Sequence, residues 1–246
     1  MNGTAPGRLY GVGVGPGDPE LVTLKALRVL RASPVVAWFA GPGRASNARR
    51  VVAAHLHDDQ TEVALVYPVT TGAVEDGSDY EGLLAAFYDE AAVRLGALLA
   101  DGRDVAVLCE GDPFFYGSFM YLYNRLRDGF ETEVVPGVVS VVAGAAAIGA
   151  PLVCLNEALT VLSGTMPADE LAARLQASQA AVIMKLGRNL PKVRAAVERA
   201  GLLDRAHYIE RVTMDEERLA RLADVDPAAA PYFSMVVIPS AAAAAR

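Results

Sequence analysis

Through the first half of the chain, short continuous apolar runs alternate with longer stretches in which apolar and polar positions interleave at helical spacing. The runs Arg8–Val14, Val35–Phe39, Glu62–Val66, Val105–Cys109 and Glu131–Val135 read as strands. The stretches Pro19–Leu30, Ser46–His55, Tyr80–Ala100 and Phe115–Arg127 read as helices. Strands that are apolar throughout need cover on both faces, and alternating helices supply it. The pattern therefore predicts an α/β unit on a mostly parallel sheet. The polar run Glu75-Asp76-Gly77-Ser78-Asp79 predicts a surface loop.

After Pro136-Gly137 the texture changes. Val138–Ile148 is a helix of mostly small residues that can pack closely. Strands are expected at Leu159–Leu162, Ala180–Leu186, His207–Val212 and Tyr232–Ile238, with helices at Ala168–Ala177 and Leu190–Ala200. Glycine corners are fewer here, and a mixed sheet is expected. The fold class is α/β in two domains, 1–136 and 137–246.

Composition narrows this further. With 53% hydrophobic residues in 246, the chain can bury proper cores and is not disordered. No apolar run reaches the ~20 residues of a membrane span. The opening Met1–Arg8 lacks the layout of a signal peptide and reads as a loose tail. Two cysteines, Cys109 and Cys154, are too few for a disulfide framework or a zinc cluster. These features point to a cytoplasmic protein with reduced thiols and no membrane partner. A net charge of -7 argues against a nucleic-acid partner, although a local arginine cluster can coexist with an acidic total. His55 and His57 fall on different faces of a helix and His207 stands alone, so no metal site is expected.

The candidate chemistry lies at two corners. Gly17-Asp18-Pro19 closes the glycine-rich run 11–17, and Gly111-Asp112-Pro113 follows the strand ending in Cys109-Glu110. Glycine lets backbone approach a ligand, aspartate is a strong helix cap, and proline suits the first helical position. Both corners fall at carboxyl ends of strands, where open α/β sheets bind ligands. A dinucleotide fingerprint fails, because the sixth position from Gly11 is Pro16 and the sixth from Gly13 is Asp18. No acidic residue follows between Arg28 and Phe39 to hold a ribose. Asp18 and Asp112 are expected to cap their helices. Glu110 has three open roles: holding a ribose hydroxyl, touching substrate, or facing water. Neither thiol has a basic neighbour in sequence, and no serine elbow or Walker loop is present. Arg44, Arg49 and Arg50, with Lys185 and Arg188, are either solvated charge or carboxylate-binding groups.

Four segments in order carry a resemblance. They are Val12–Pro19, Gly111-Asp112-Pro113-Phe114-Phe115-Tyr116-Gly117, Pro136-Gly137-Val138-Val139-Ser140 and Ile183-Met184-Lys185-Leu186. Together they resemble the tetrapyrrole (corrin/porphyrin) methyltransferases over about residues 8–239. Glu110 before the second corner, the run Val182–Asn189 and the ending Tyr232–Val237 are most similar to the branch that methylates precorrin-2 at C20 in cobalamin biosynthesis. A relative of that branch uses cobalt-factor II. The resemblance implies two α/β domains with a cleft, S-adenosylmethionine as cofactor, S-adenosylhomocysteine as product and a homodimer. It implies cofactor contacts at Pro16, Glu110, Gly111, Asp112, Phe115, Ser140, Val141 and Met184. Arg188, Lys185 and Arg44 are the expected substrate contacts, and Glu110 and Tyr116 the expected catalytic proton acceptors. Other readings are a methyltransferase of the same fold acting on rRNA or diphthamide, a nucleotide-dependent oxidoreductase and a non-catalytic binding module.

Overall fold

The computed structural model describes residues 5–69, 80–226, 228 and 230–244, so the loop expected at 75–79 and the first four residues of the tail lie outside them. The chain forms two compact units, 1–139 and 140–246.

In the first unit β1 (Leu9–Gly13), β2 (Val35–Ala40), β3 (Thr61–Val66), β4 (Val105–Cys109) and β5 (Thr132–Val135) form one sheet in the order β3-β2-β4-β1-β5. Every pairing is parallel. β2 and β4 are buried along their whole length, while the edge strand β3 alternates between exposed and buried positions. Strand periodicity splits the core into two. Val35, Ala37, Phe39, Val105 and Val107 face α3 (Tyr80–Ala100) and α4 (Phe119–Leu126). Val36, Trp38, Ala106 and Leu108 face α1 (Leu24–Ala32) and α2 (Asn47–Val51). The chain thus leaves β1 on the face covered by α1, and leaves the neighbouring β4 on the face covered by α4. That divergence makes the β1–β4 seam the topological switch point of the sheet, where such folds open a crevice.

In the second unit β6 (Leu159–Ser163), β7 (Ala180–Met184), β8 (His207–Glu210), β9 (Arg218–Arg221) and β10 (Ser234–Ile238) follow the order β6-β7-β10-β8-β9. Only β6–β7 is parallel, so the sheet is mixed. α6 (Ala168–Gln176) and α7 (Leu190–Arg199) bury Leu171, Leu175, Val193 and Val197 with Ile183, Tyr208 and Val236. α5 (Ser140–Ala147) packs closely on β10, because a Cβ on Gly144 would lie 2.5 Å from Met235 Cε. A short helix, α8 (Ala241–Ala244), follows β10.

Three expected helices come out shorter. Pro19–Leu30 divides into a 3-10 turn at Pro19–Leu21 and α1, because Val22 is extended and Thr23 accepts the Ala26 N–H at 3.1 Å to start a new helix. Ser46–His55 divides into α2 and a 3-10 turn at Ala53–His55. The helix expected from Phe115 begins only at Phe119, since Tyr116 has φ +57° and Gly117 lies close under the Asp112 and Pro113 carbonyls. The polar edge strand β9, exposed at Arg218, Leu219 and Arg221, carries no apolar signal and was not expected.

Candidate functional site

Three glycines meet where β1, β4 and β5 end. Val14 N–H donates to the Cys109 carbonyl at 3.0 Å. Gly15 and Gly111 then exchange a reciprocal pair of backbone bonds, at 3.3 and 2.8 Å. A Cβ on Gly13 would lie 2.6 Å from Gly137 N and 2.7 Å from Gly111 O, and one on Gly137 would run into Gly111 O. Gly111 differs from these two. It has φ +64°, yet a Cβ there would meet nothing nearer than 3.8 Å. Its backbone conformation disfavours side chains, while Val138 and Val139 stand off at ordinary contact distance, which suits close approach of a ligand to the backbone.

Asp112 fastens this corner. Its Oδ1 accepts the N–H groups of Phe114 and Phe115 at 2.9 and 3.2 Å, and its Oδ2 accepts the Gly137 N–H at 3.0 Å. Asp112 therefore does not cap α4, which starts seven residues later. It closes an Asx-type turn and ties that turn to the chain leaving β5. Asp18 does cap, but a 3-10 turn, accepting the Glu20 N–H at 2.8 Å. Pro16 is buried, Phe115 half-buried, and Tyr116 is exposed with its ring edge-on to Phe115 at 5.2 Å between centroids. Just behind, Tyr67 OH donates to Ser118 Oγ at 2.6 Å inside a cluster with Phe39, Phe87 and Tyr88. Burial pushes the Tyr67 phenol far up, so it stays protonated. Nothing in the sequence signalled this brace, because aromatic residues at such positions read equally as core.

Glu110 has a defined partner. Its Oε1 accepts the Ala48 N–H, in the first turn of α2, at 3.2 Å. Burial raises its carboxyl pKa, and the Ala48 hydrogen bond opposes the rise. Burial also lifts the Cys109 thiol well above its usual range, with the Glu110 and Asp112 charges adding to it, which leaves a poor nucleophile.

The arginine knot lies beside this on the same unit. A pocket of about 470 Å³ at the carboxyl ends of β2 and β3 is lined by Trp38, Arg44, Ser46, Arg49, Arg50 and Val66, among others. Arg49 lies over the Trp38 ring at 5.3 Å and donates to both Glu62 carboxylate oxygens, at 2.5 and 2.9 Å. Arg44 and Arg50 are exposed.

In the second unit, Met184 ends β7 and its carbonyl accepts the Gly164 N–H at 2.7 Å. Lys185 follows with φ +58°, and Arg188 sits exposed in the 3-10 turn Gly187–Asn189. Ser140 and Val141 open α5, which packs on β10. β7 and β8 both run antiparallel to β10, so their carboxyl ends share one edge of the sheet. Arg211 (φ +46°) and Thr213 (φ +63°) lie at that edge after β8, as Lys185 does after β7. Strained non-glycine backbone of this kind clusters at functional sites. No glycine marks positions 185, 211 or 213, so no local pattern signals it.

A family profile of the tetrapyrrole (corrin/porphyrin) methylases matches residues 8–226. The chain belongs to the tetrapyrrole methylases. A precorrin-2 C(20)-methyltransferase from a Sinorhizobium species is 48% identical over 97% of this chain and 98% of its own length. A cobalt-precorrin-2 C(20)-methyltransferase from Salmonella typhimurium is 33% identical over 94% and 96%. Among solved structures, a uroporphyrin-III C-methyltransferase from Thermus thermophilus, in complex with S-adenosylhomocysteine, superposes with a TM-score of 0.63. It is 26% identical and covers 94% of this chain and 97% of its own. As a tetrapyrrole methylase the chain is a methyltransferase, with S-adenosylmethionine as the donor. The glycine corner fits that donor: it offers backbone at a positive-φ glycine and a nearby carboxylate, Asp112.

Proposed function

We propose that this methylase transfers one methyl group to C20 of precorrin-2, giving precorrin-3A on the route to cobalamin. The observation that carries the reading is the full-length, 48% identical precorrin-2 C(20)-methyltransferase, on a chain that keeps the glycine corner intact. The Salmonella relative, at 33% identity, supports a second reading in which the ring carries cobalt, as in cobalt-factor II.

Bound at the corner, S-adenosylmethionine supplies a methyl group already activated on a sulfonium. We assign its contacts to Pro16, Gly111, Asp112 and Phe115 in the first unit and to Ser140, Val141 and Met184 in the second. Gly111 admits the donor to the backbone, and Asp112 holds the turn that carries Phe115. Such a transfer depends on in-line approach and exclusion of water more than on a strong base. A cationic donor gains nothing from arginines, so the basic groups serve the acidic ring instead. Arg44 in the pocket, with Lys185 and Arg188 after β7, is assigned to its carboxylates. Tyr116 or solvent takes the proton that leaves the ring. A cytosolic homodimer completes the reading, supported by the family resemblance and by exposed apolar side chains such as Leu24 and Val93. Among the described residues no helix is long and apolar enough to cross a membrane.

The test is incubation with S-adenosylmethionine and either the metal-free or the cobalt-loaded ring, followed by mass analysis. The metal-free ring is expected to gain one methyl group, and to gain it faster. Reaction of the cobalt ring alone favours the second reading. Reaction of neither removes both.

A further inference from the structure

Glu110, at the glycine corner, has its partner on a different layer of the unit. It directly precedes Gly111, at the carboxyl end of β4, while Ala48 belongs to the helix that follows β2. The same short helix carries Arg49 and Arg50, and its cap Ser46 accepts the Arg49 N–H at 3.4 Å. Ser46, Arg49 and Arg50 also line the pocket with Arg44. One carboxyl group therefore joins the corner assigned to the donor to the pocket assigned to the ring.

We infer that Glu110 is a positioning residue and not the proton acceptor: its Oε1 pins the first turn of α2, and with it the arginine-lined pocket that receives a substrate carboxylate, to the Gly111 corner. The chemistry of the site agrees. Oε1 is committed to the backbone of α2, which leaves only Oε2 for any proton transfer. Arg49 is held on its other side by Trp38 and Glu62, so the pocket has one fixed wall. Arg44, on the exposed rim, is the group assigned to the arriving carboxylate. The ionisable groups around Glu110 are Cys109 and Asp112 on its own corner and Tyr67 on the segment after β3. Burial favours the neutral acid, and a neutral carboxyl still accepts through its carbonyl oxygen, so the tether does not require charge.

This rests on the proposed function for the identity of the ring, but the tether is testable without it. Two variants separate the roles. E110Q keeps an amide oxygen at full length and abolishes any basicity. E110D keeps a carboxylate but draws it back from Ala48. A positioning Glu110 predicts that E110Q retains turnover with an unaltered pH profile. It predicts that E110D raises KM for the metal-free ring by about tenfold, the scale of one lost hydrogen bond, with kcat little changed. Deuterium exchange over residues 47–51, read by mass spectrometry, should quicken in E110D and not in E110Q. A base predicts the reverse: E110Q loses kcat by orders of magnitude, E110D retains part of it, and exchange in α2 is the same in both. That pattern overturns the inference. Failure of the unaltered enzyme to methylate either ring overturns the proposed function instead, and the exchange comparison still decides the tether.

Discussion

The two units solve the same problem, a sharp turn at the carboxyl end of a strand, with different residues. In the first unit the strand ends turn on glycines, two of which, Gly13 and Gly137, are so tightly apposed that no side chain fits, and Tyr116 takes positive φ further along the same corner. In the second, Lys185, Arg211 and Thr213 take positive φ without glycine, and the strain is held by the surrounding sheet. The first device is written in the sequence and the second is not. A glycine corner protects backbone access and fails abruptly when filled. A strained corner keeps a functional side chain at the turn and costs about 1–2 kcal/mol at each such residue.

The comparison breaks most visibly at the glycine contact. Gly13→Ala places a Cβ against backbone nitrogen and oxygen that cannot move aside, and should destabilise by about 3 kcal/mol or more in denaturant unfolding. Gly111→Ala meets Val138 and Val139 only at ordinary contact distance and should lose the dihedral penalty alone, about 1–2 kcal/mol. Equal losses at the two positions would mean that packing does not distinguish them.

Asp112 sharpens the point. Removing it in Asp112→Ala frees three backbone N–H groups and should cost about 2 kcal/mol, whereas Asp18→Ala should cost roughly 0.5–2 kcal/mol for one exposed cap. Asparagine should restore Asp18 almost fully and Asp112 only in part, because its amide nitrogen cannot accept the Gly137 N–H.

Glu110 adds a pH dependence. Its pKa in the folded protein lies above the ordinary carboxylate value, so the folded state binds the proton more tightly than the unfolded chain. Stability contributed by this group therefore falls as pH rises from the unfolded pKa through the folded one. Glu110→Gln should flatten that decline and be the more stable protein at neutral pH. A steeper decline in the variant would mean that the carboxylate is stabilising as a charge.

At the small end, Lys185→Gly in the second unit relieves strain but frees the unfolded chain. The two effects nearly offset, within about 1 kcal/mol. A large loss would mean that the Lys185 side chain, and not its backbone, holds the turn.

Much of the first unit was legible because its strands are uniformly apolar and its corners carry Gly-Asp-Pro. The mixed sheet of the second unit followed from its pattern too, apart from β9, whose exposed polar edge has no periodic signal. What stayed hidden was tertiary. That Asp112 reaches Gly137 and not a helix, that Glu110 reaches Ala48, and that Tyr67 braces Ser118 depend on pairs separated by 25, 62 and 51 positions. A local pattern does not encode contacts at that range. Helix starts were misjudged where a local cap outcompeted an apolar pattern, as at Thr23, or where a tight turn displaced the helix, as at 113–118.

In the proposed function the donor meets the backbone at Gly111. Titration of S-adenosylhomocysteine into the unaltered protein and into Gly111→Val, by calorimetry with folding checked by circular dichroism, tests it most directly. A clear binding isotherm is expected for the unaltered protein, and loss of binding in the folded variant, whose branched side chain occupies the approach to the backbone at φ +64°. Undiminished affinity in a folded Gly111→Val protein would contradict it and move the donor away from the second glycine corner.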